Sequence, residues 1–264
     1  MIVFSLFIAL ILERLRITPD IWKLTAIAER WDRWLSEKDD VSSWREHDLF
    51  GPLLVLAPAI LLALLMWINS SVLAAVLVNI VVLTLVLGCR PQQATLRAYF
   101  LAAKRGDDEE MHEHMQVIRY PADTELRVGQ QLVWLNFRYY AAVSLWFIIL
   151  GAPGALAYGL LRERAEVFPK LLAWVEWLPL RIAAFGYLLV GHFTRGLAAW
   201  LDILPKGIHE PEQQLNSVAV AAEDIDVEED DEVVEAEILV ALARRNMILV
   251  LVAVAILTLF GWVV

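Results

Sequence analysis

Apolar residues in this chain come in long blocks, without the alternation of a half-buried strand or the one-sided stripe of a soluble helix bundle. Two blocks lie close together: PLLVLAPAILLALLMWI (52–68) and VLAAVLVNIVVLTLVLG (72–88), separated only by the polar turn Asn69-Ser70-Ser71. Each approaches the ~20 residues that a helix needs to cross a bilayer core at ~1.5 Å per residue. They predict a tight hairpin of two spans. A third block, 141–161, contains Gly151, Pro153 and Gly154. Proline and glycine free backbone groups that need protein or water around them, so this block is either a kinked span or a re-entrant hairpin. A fourth, 170–192, carries Glu176 and Arg181, and the last, 246–264, follows Arg244-Arg245 and reads as a terminal anchor. The first apolar run ends at Glu13, which makes it either a tilted span or a half-inserted helix. With no positive residue before it and no small-residue cleavage site after it, the run does not read as a secretory signal. The predicted fold class is all-α: a polytopic helical membrane protein with four to six membrane segments and further interfacial and cytoplasmic helices.

The stretches between the blocks differ in character. From Pro19 to His47, Trp22, Trp31, Trp34 and Trp44 alternate with Lys23, Arg30, Arg33, Lys38 and Arg45, a mixture suited to a helix lying in the interface plane. Gly88 to Val133 reads as two soluble-looking helices. Lysine and arginine crowd both outer flanks of the hairpin and are missing from its turn. The positive-inside rule therefore places 13–50 and 89–138 in the cytoplasm. The predicted organisation is a membrane domain over 1–194 that includes the helical stretch 89–133. A polar, acidic, partly flexible linker follows over 195–245, then an anchor over 246–264. No internal repeat is visible.

Composition sharpens this in three places. Of 264 residues 59% are hydrophobic and eleven are Trp, a residue that favours bilayer interfaces. The net charge of −10 is concentrated in EDIDVEEDDEVVEAE (223–237), where like charges repel and favour an extended linker, or a surface for a cytoplasmic protein partner. The remainder is close to neutral, which argues against nucleic acid as a ligand. One cysteine, Cys89, rules out an intrachain disulfide within the chain.

Ionisable residues within or beside apolar blocks cost ~2.5–3.5 kcal/mol each at a helix centre, so their presence asks for a reason. Glu13, Arg14, Arg138, Glu176 and Arg181 are the candidates, with Asn136 and Tyr139 as polar companions of Arg138. Glu13, Arg14 and Arg138 either snorkel to the interface or line a site. Arg181, deep in WVEWLPLRIAAFGYLL, needs a carboxylate, a cluster of carbonyls or an anionic ligand. His112 and His114 in MHEHM stand two apart, which on a helix points them in different directions; they fit better as partners of Asp108 and Glu110 at i, i+4 than as a metal site. Phosphate-loop, nucleophile-elbow and zinc-protease motifs are missing.

The segments WLNFRYYAAVSLWFIILGAPGALAY (134–158) and WLPLRIAAFGYLLVGH (177–192) resemble the AmpE family, which lies within the wider CobD/CbiB family of cobalamin biosynthesis. The resemblance extends to Glu13 at the end of an early apolar helix, to Gly106-Asp107, to Asp123-Thr124 with Ala122 where the wider family has Arg, and to Pro179-Leu180-Arg181. It departs where the synthases carry a Glu-Asn pair followed by Asp: here the chain reads Leu135-Asn136-Phe137-Arg138-Tyr139. Synthase chemistry relies on carboxylate-held Mg²⁺ to neutralise the phosphates of ATP. Leu, Arg and Tyr at that place weaken the case for Mg-ATP but suit an anion.

What the resemblance implies is an inner-membrane regulator or sensor of a Gram-negative bacterium, linked to β-lactamase induction or to cell-wall fragments. It would bind an anionic ligand without synthase catalysis. Its expected site comprises Asn136, Arg138, Tyr139 and Arg181, with Glu13, Arg14, Asp123 and Thr124. One alternative is a Mg/ATP-dependent amide-forming synthase, taking a nucleotide and using Glu13, Asp107 and Asp123 as metal ligands. A small-solute transporter is another, weakened by the lack of an inverted repeat.

Overall fold

The computed structural model describes residues 1–15, 24–36, 50–69, 71–88, 90–118, 126–225 and 232–261, and among these every regular element is helical. Asp123 and Thr124, most of the stretch around Trp22 and Trp44, and residues 226–231 of the acidic segment lie outside the described residues. Among the described residues four helices are long and apolar enough to cross a bilayer: Phe50–Ile68, Val128–Arg162, Pro169–Val190 and Glu232–Leu259. Val72–Val86 is equally apolar but shorter. Large side chains stay exposed along them, including Leu61, Leu65, Trp67, Trp174, Leu189 and Ile256. In water such a surface would aggregate; in lipid it is the solvated side. The chain is a polytopic helical membrane protein.

The chain divides into two compact units. The first holds residues 1–88, 142–176 and 251–264. Its helices are α1 (Ile2–Arg14), α2 (Leu24–Ser36), α3 (Phe50–Ile68), α4 (Val72–Val86) and α8 (Ala142–Arg162), the last of which packs against the other four. Between α3 and α4 the polar turn is held by local bonds: Asn69 Oδ1 accepts from Ser71 N at 2.9 Å, and Ser71 Oγ accepts from Ala74 N at 3.4 Å as the helix cap. Helices in lipid gain little from burying apolar area against one another, so close packing decides where they touch. At Gly159 a Cβ would come within 2.7 Å of Leu24 and 2.8 Å of Val86, so only glycine admits that contact. α8 is broken at Gly151, whose φ of 70° and ψ of −160° suit glycine alone. Pro153 then opens the second half, where a missing N–H costs nothing.

The second unit holds residues 89–141 and 177–250. α5 (Arg90–Arg105) and α6 (Asp108–Ile118) form a hairpin. Gly106 turns the chain at φ 69°, and Asp107 Oδ1 caps α6 by accepting from Glu110 N at 3.1 Å. Tyr99 and Ile118 of this hairpin form a core with Val128 and Leu132 of α7 (Val128–Asn136) and Ala236 of α12 (Glu232–Leu259). His114 pairs with Glu110 at 3.7 Å, as the spacing predicts, whereas His112 faces Gln116 at 3.1 Å.

The described residues of 195–245, expected from composition to be a linker, are largely helical: α10 (Phe193–Ile203), α11 (Pro211–Glu223) and the first turns of α12. Cationic partners offset the self-repulsion of the acidic run. Glu223 meets Arg245 at 2.6 Å, Asp224 pairs with Arg195, and the fully buried Glu235 meets Arg127 at 2.6 Å. Glu232 Oε1 accepts from Val128 N at 3.3 Å, capping α7 from another helix.

Two outcomes test this account. Arg127→Met strands the Glu235 carboxylate; a half-exposed arginine makes the expected loss about 2 kcal/mol, below the ~3–5 kcal/mol of a fully buried pair, read from reversible unfolding in mixed micelles. Gly151→Ala meets no steric neighbour beyond Pro153 but forces a side chain into a glycine-only conformation, and should cost about 1–3 kcal/mol in the same assay.

Candidate functional site

Between α7 and α8 the chain does not continue as a plain α-helix: Phe137–Ala141 form a single π turn. A π turn inserts a residue into the helical phase, a costly irregularity that recurs at functional sites. Here it is anchored on one side by Trp134 and Phe137, both buried and stacked with ring centroids 5.2 Å apart. On that platform Arg138 lies with its guanidinium carbon 4.5 Å from the Trp134 ring centroid. The indole face stabilises the guanidinium and fixes its plane. Asn136, one residue before the turn, has a buried Oδ1 with no hydrogen-bond partner, and Tyr139 and Tyr140 are half-buried on the turn itself. Asn136, Arg138 and Tyr139 thus lie at or next to the π turn, close in sequence.

Arg181 has a different setting. Of the partners its burial demanded, the structure supplies carbonyls. From α9 (Pro169–Val190) its Nη1 donates to Trp177 O at 3.1 Å, and its Nη2 to Ile203 O at 3.0 Å, to Lys206 O, and to Gln214 Oε1 at 3.3 Å. The Trp177 ring covers it at 4.3 Å. Ile203 is the last residue of α10, whose final carbonyls have no partner within their own helix. Gln214 completes the arrangement by donating to Gly207 O at 3.2 Å and His209 O at 2.5 Å. Arg181 and Gln214 together hold the 203–209 connection; Asn136, Arg138 and Tyr139 are not among the partners of Arg181.

Glu13 and Arg14 belong to the first unit. Glu13 is 8% exposed and packs on Gly88, where a Cβ would stand 3.0 Å from its Oε1; Arg14 is exposed at the end of α1. Asp107, in the second unit, already serves as the α6 cap. For the metal-nucleotide chemistry of the wider family the π turn is a poor fit. With Asn136 before it, its side chains offer an amide, a guanidinium and phenols, whereas Mg²⁺ is held by carboxylates and a guanidinium repels it.

Sequence reasoning misses several polar anchors. Arg162, 7% exposed, donates to Val86 O at 3.3 Å, the last residue of α4; Arg245 donates to Val190 O at 3.0 Å, the last of α9. Each looks in sequence like a routine flanking cation. Gln214 and Asn216 in PEQQLNS look like surface helix yet are 6% and 4% exposed. Glu176, flagged by its apolar surroundings, is fully buried and accepts from Tyr158 Oη at 2.9 Å.

A family model described as "Regulatory signalling modulator protein AmpE" matches residues 1–170 and 160–264. The chain belongs to the AmpE family. Protein AmpE of Shigella flexneri is 28% identical over 192 residues, covering 62% of this chain and 66% of that protein. The cobalamin biosynthesis protein CobD of Chromobacterium violaceum is 35% identical over 78 residues, covering 24% of this chain and 25% of that protein. The chain thus spans just under two thirds of the AmpE relative and a quarter of the CobD one. No solved structure matches. The family's description is one of regulatory signalling.

Removing Arg181 tests its place in the second unit. Arg181→Met should expose 203–209 to hydrogen exchange and lower the melting temperature. Arg181→Lys should restore only part of the loss, because an ammonium cannot span Ile203 O and Trp177 O as a fork does. Unchanged exchange at 203–209 in Arg181→Met would contradict the assignment.

Proposed function

We propose that this protein is a regulatory, sensory component of the inner membrane of a Gram-negative bacterium, modulating β-lactamase induction or the response to cell-wall fragments. It does so by binding an anionic ligand and without catalysing a synthase reaction. The observation that carries this reading is the π turn. It sets Arg138 over Trp134, just after Asn136 with its buried Oδ1, so that a cation stands where the resemblance to the synthases implies carboxylates. Membership of a family named for regulatory signalling supports the same direction. Arg181 contributes fixed positive charge in the same unit, though its donors face carbonyls. The concentrated negative charge of the acidic segment supports a role toward a cytoplasmic protein partner.

The rival is a synthase of the CobD kind, favoured by the 78-residue similarity to a cobalamin biosynthesis protein. The two separate experimentally. In a strain lacking its own copy, the wild-type gene should restore the normal β-lactamase induction curve, Arg138→Ala should not, and Arg138→Lys should do so partially, since Lys keeps the charge and loses the stacked fork. Thermal stabilisation of the purified protein by anhydromuropeptide, lost in Arg138→Ala, supports the regulator. Mg²⁺-dependent stabilisation by ATP, indifferent to Arg138, supports the synthase. An induction curve unchanged by deletion would end the regulatory reading.

A further inference from the structure

The sequence of α5, RPQQATLRAYFLAAKR, carries Arg90, Arg97, Lys104 and Arg105 and no carboxylate. Its two sides differ. Leu96, Tyr99 and Phe100 pack into the core that the α5–α6 hairpin shares with Val128 and Leu132. Ala94, Arg97, Leu101 and Lys104 follow at intervals of three, four and three, which places them on one side of the helix, and all four are exposed. Leu101 stands between the two cations and is 57% exposed. Arg105 is paired with Glu110 at 3.0 Å, whereas neither Arg97 nor Lys104 has an ion-pair partner among the described residues. On α6 the exposed side chains include Asp108, Glu109 and Glu113. The hairpin is therefore positive along α5 and negative along α6.

An unpaired cationic stripe around an exposed leucine matches a surface that is anionic in its outer layer and apolar beneath, as the cytoplasmic face of a bilayer is. The chain itself keeps that surface within reach. Arg90 follows Val86, the last residue of α4, by four residues, at most ~14 Å of chain. We propose that α5 docks in the interface plane on anionic phospholipid headgroups, with Arg97 and Lys104 at the phosphates and Leu101 at the acyl boundary. The acidic side of α6 then faces water, since the same headgroups repel it. Docking also steadies the start of α7, because Val128 and Leu132 share the hairpin's core. It requires the cytoplasmic placement of 89–138 and is independent of any anion at the π turn.

The test uses the full chain with Cys89→Ser and Leu101→Cys, the new thiol carrying the polarity-sensitive fluorophore NBD, which takes the leucine's place as an apolar group. The chain is placed in nanodiscs of phosphatidylcholine alone, or of phosphatidylcholine and phosphatidylglycerol in equal parts. Emission should brighten and move to the blue in the anionic discs only, and ~1 M salt should reverse the change, since charges are then screened beyond ~3 Å. The same label at Val117 of α6, 58% exposed, should not respond. Arg97→Gln and Lys104→Gln should each lower the ratio of docked to free α5 about fivefold, and Arg97→Lys should keep it near that of the parent. Docking is overturned if emission is equal in the two discs, if the change survives ~1 M salt, or if Arg97→Lys loses as much as Arg97→Gln. A label that ignores lipid but responds to a soluble peptide of residues 223–237 assigns the stripe to an acidic protein surface and overturns it as well.

Discussion

A helix that ends in or beside lipid leaves its last carbonyls without partners, and water is not at hand to satisfy them. This chain meets that constraint with arginines sent from neighbouring helices. Arg162 reaches the end of α4 at Val86, Arg181 the end of α10 at Ile203, and Arg245 the end of α9 at Val190. Each cation also faces the negative end of the helix dipole, so charge and hydrogen bonding act in the same direction. A guanidinium suits this task because its fork of donors can serve several oxygens at once. Arg181, anomalous in its apolar run, and Arg162 and Arg245, which look like routine flanking cations, thus share one task in ending and joining the helices of each unit.

The acidic segment follows the same logic with the signs exchanged. Glu232 caps the N-terminus of α7 from α12, next to the ion pair of Glu235 with Arg127. An unmet N–H and a half-exposed guanidinium are both answered by carboxylates that, in sequence, belong to a solvating run. The close approach this requires depends on Gly129, where a Cβ would stand 2.9 Å from Ala236 Cα. The start of α7, and with it the register in which Trp134 and the π turn follow, is fixed by those contacts.

How far the sequence predicts this arrangement depends on the range of the interaction. The spans are legible because continuous apolar runs of near-bilayer length have few other solutions, and the hairpin turn at Asn69 and Ser71 is written in its capping residues. The α5–α6 turn is legible for the same local reason. Arg181 is legible as an anomaly but not as a solution: an apolar run shows that it must be satisfied, whereas Ile203 and Gln214 approach it only in three dimensions. Arg127, Glu235 and Asn216 give no local signal, because each sits in a stretch whose composition suits a solvent-exposed helix. The π turn is invisible to periodicity, since one inserted residue in an aromatic run leaves the apolar pattern unbroken.

In sequence Arg138 and Arg181 share a chemistry, as arginines at or within apolar segments, and the structure separates them by what they face. Arg181 points its donors at backbone oxygens that move only if the 203–209 connection moves. Arg138 lies on an aromatic surface, which stabilises a guanidinium through its face and leaves direction to its edge. One residue type thus does two different things in the second unit: Arg181 ends a helix by filling its open carbonyls, whereas Arg138 is held flat on an indole beside a π turn, where its charge sets the sign of the local field.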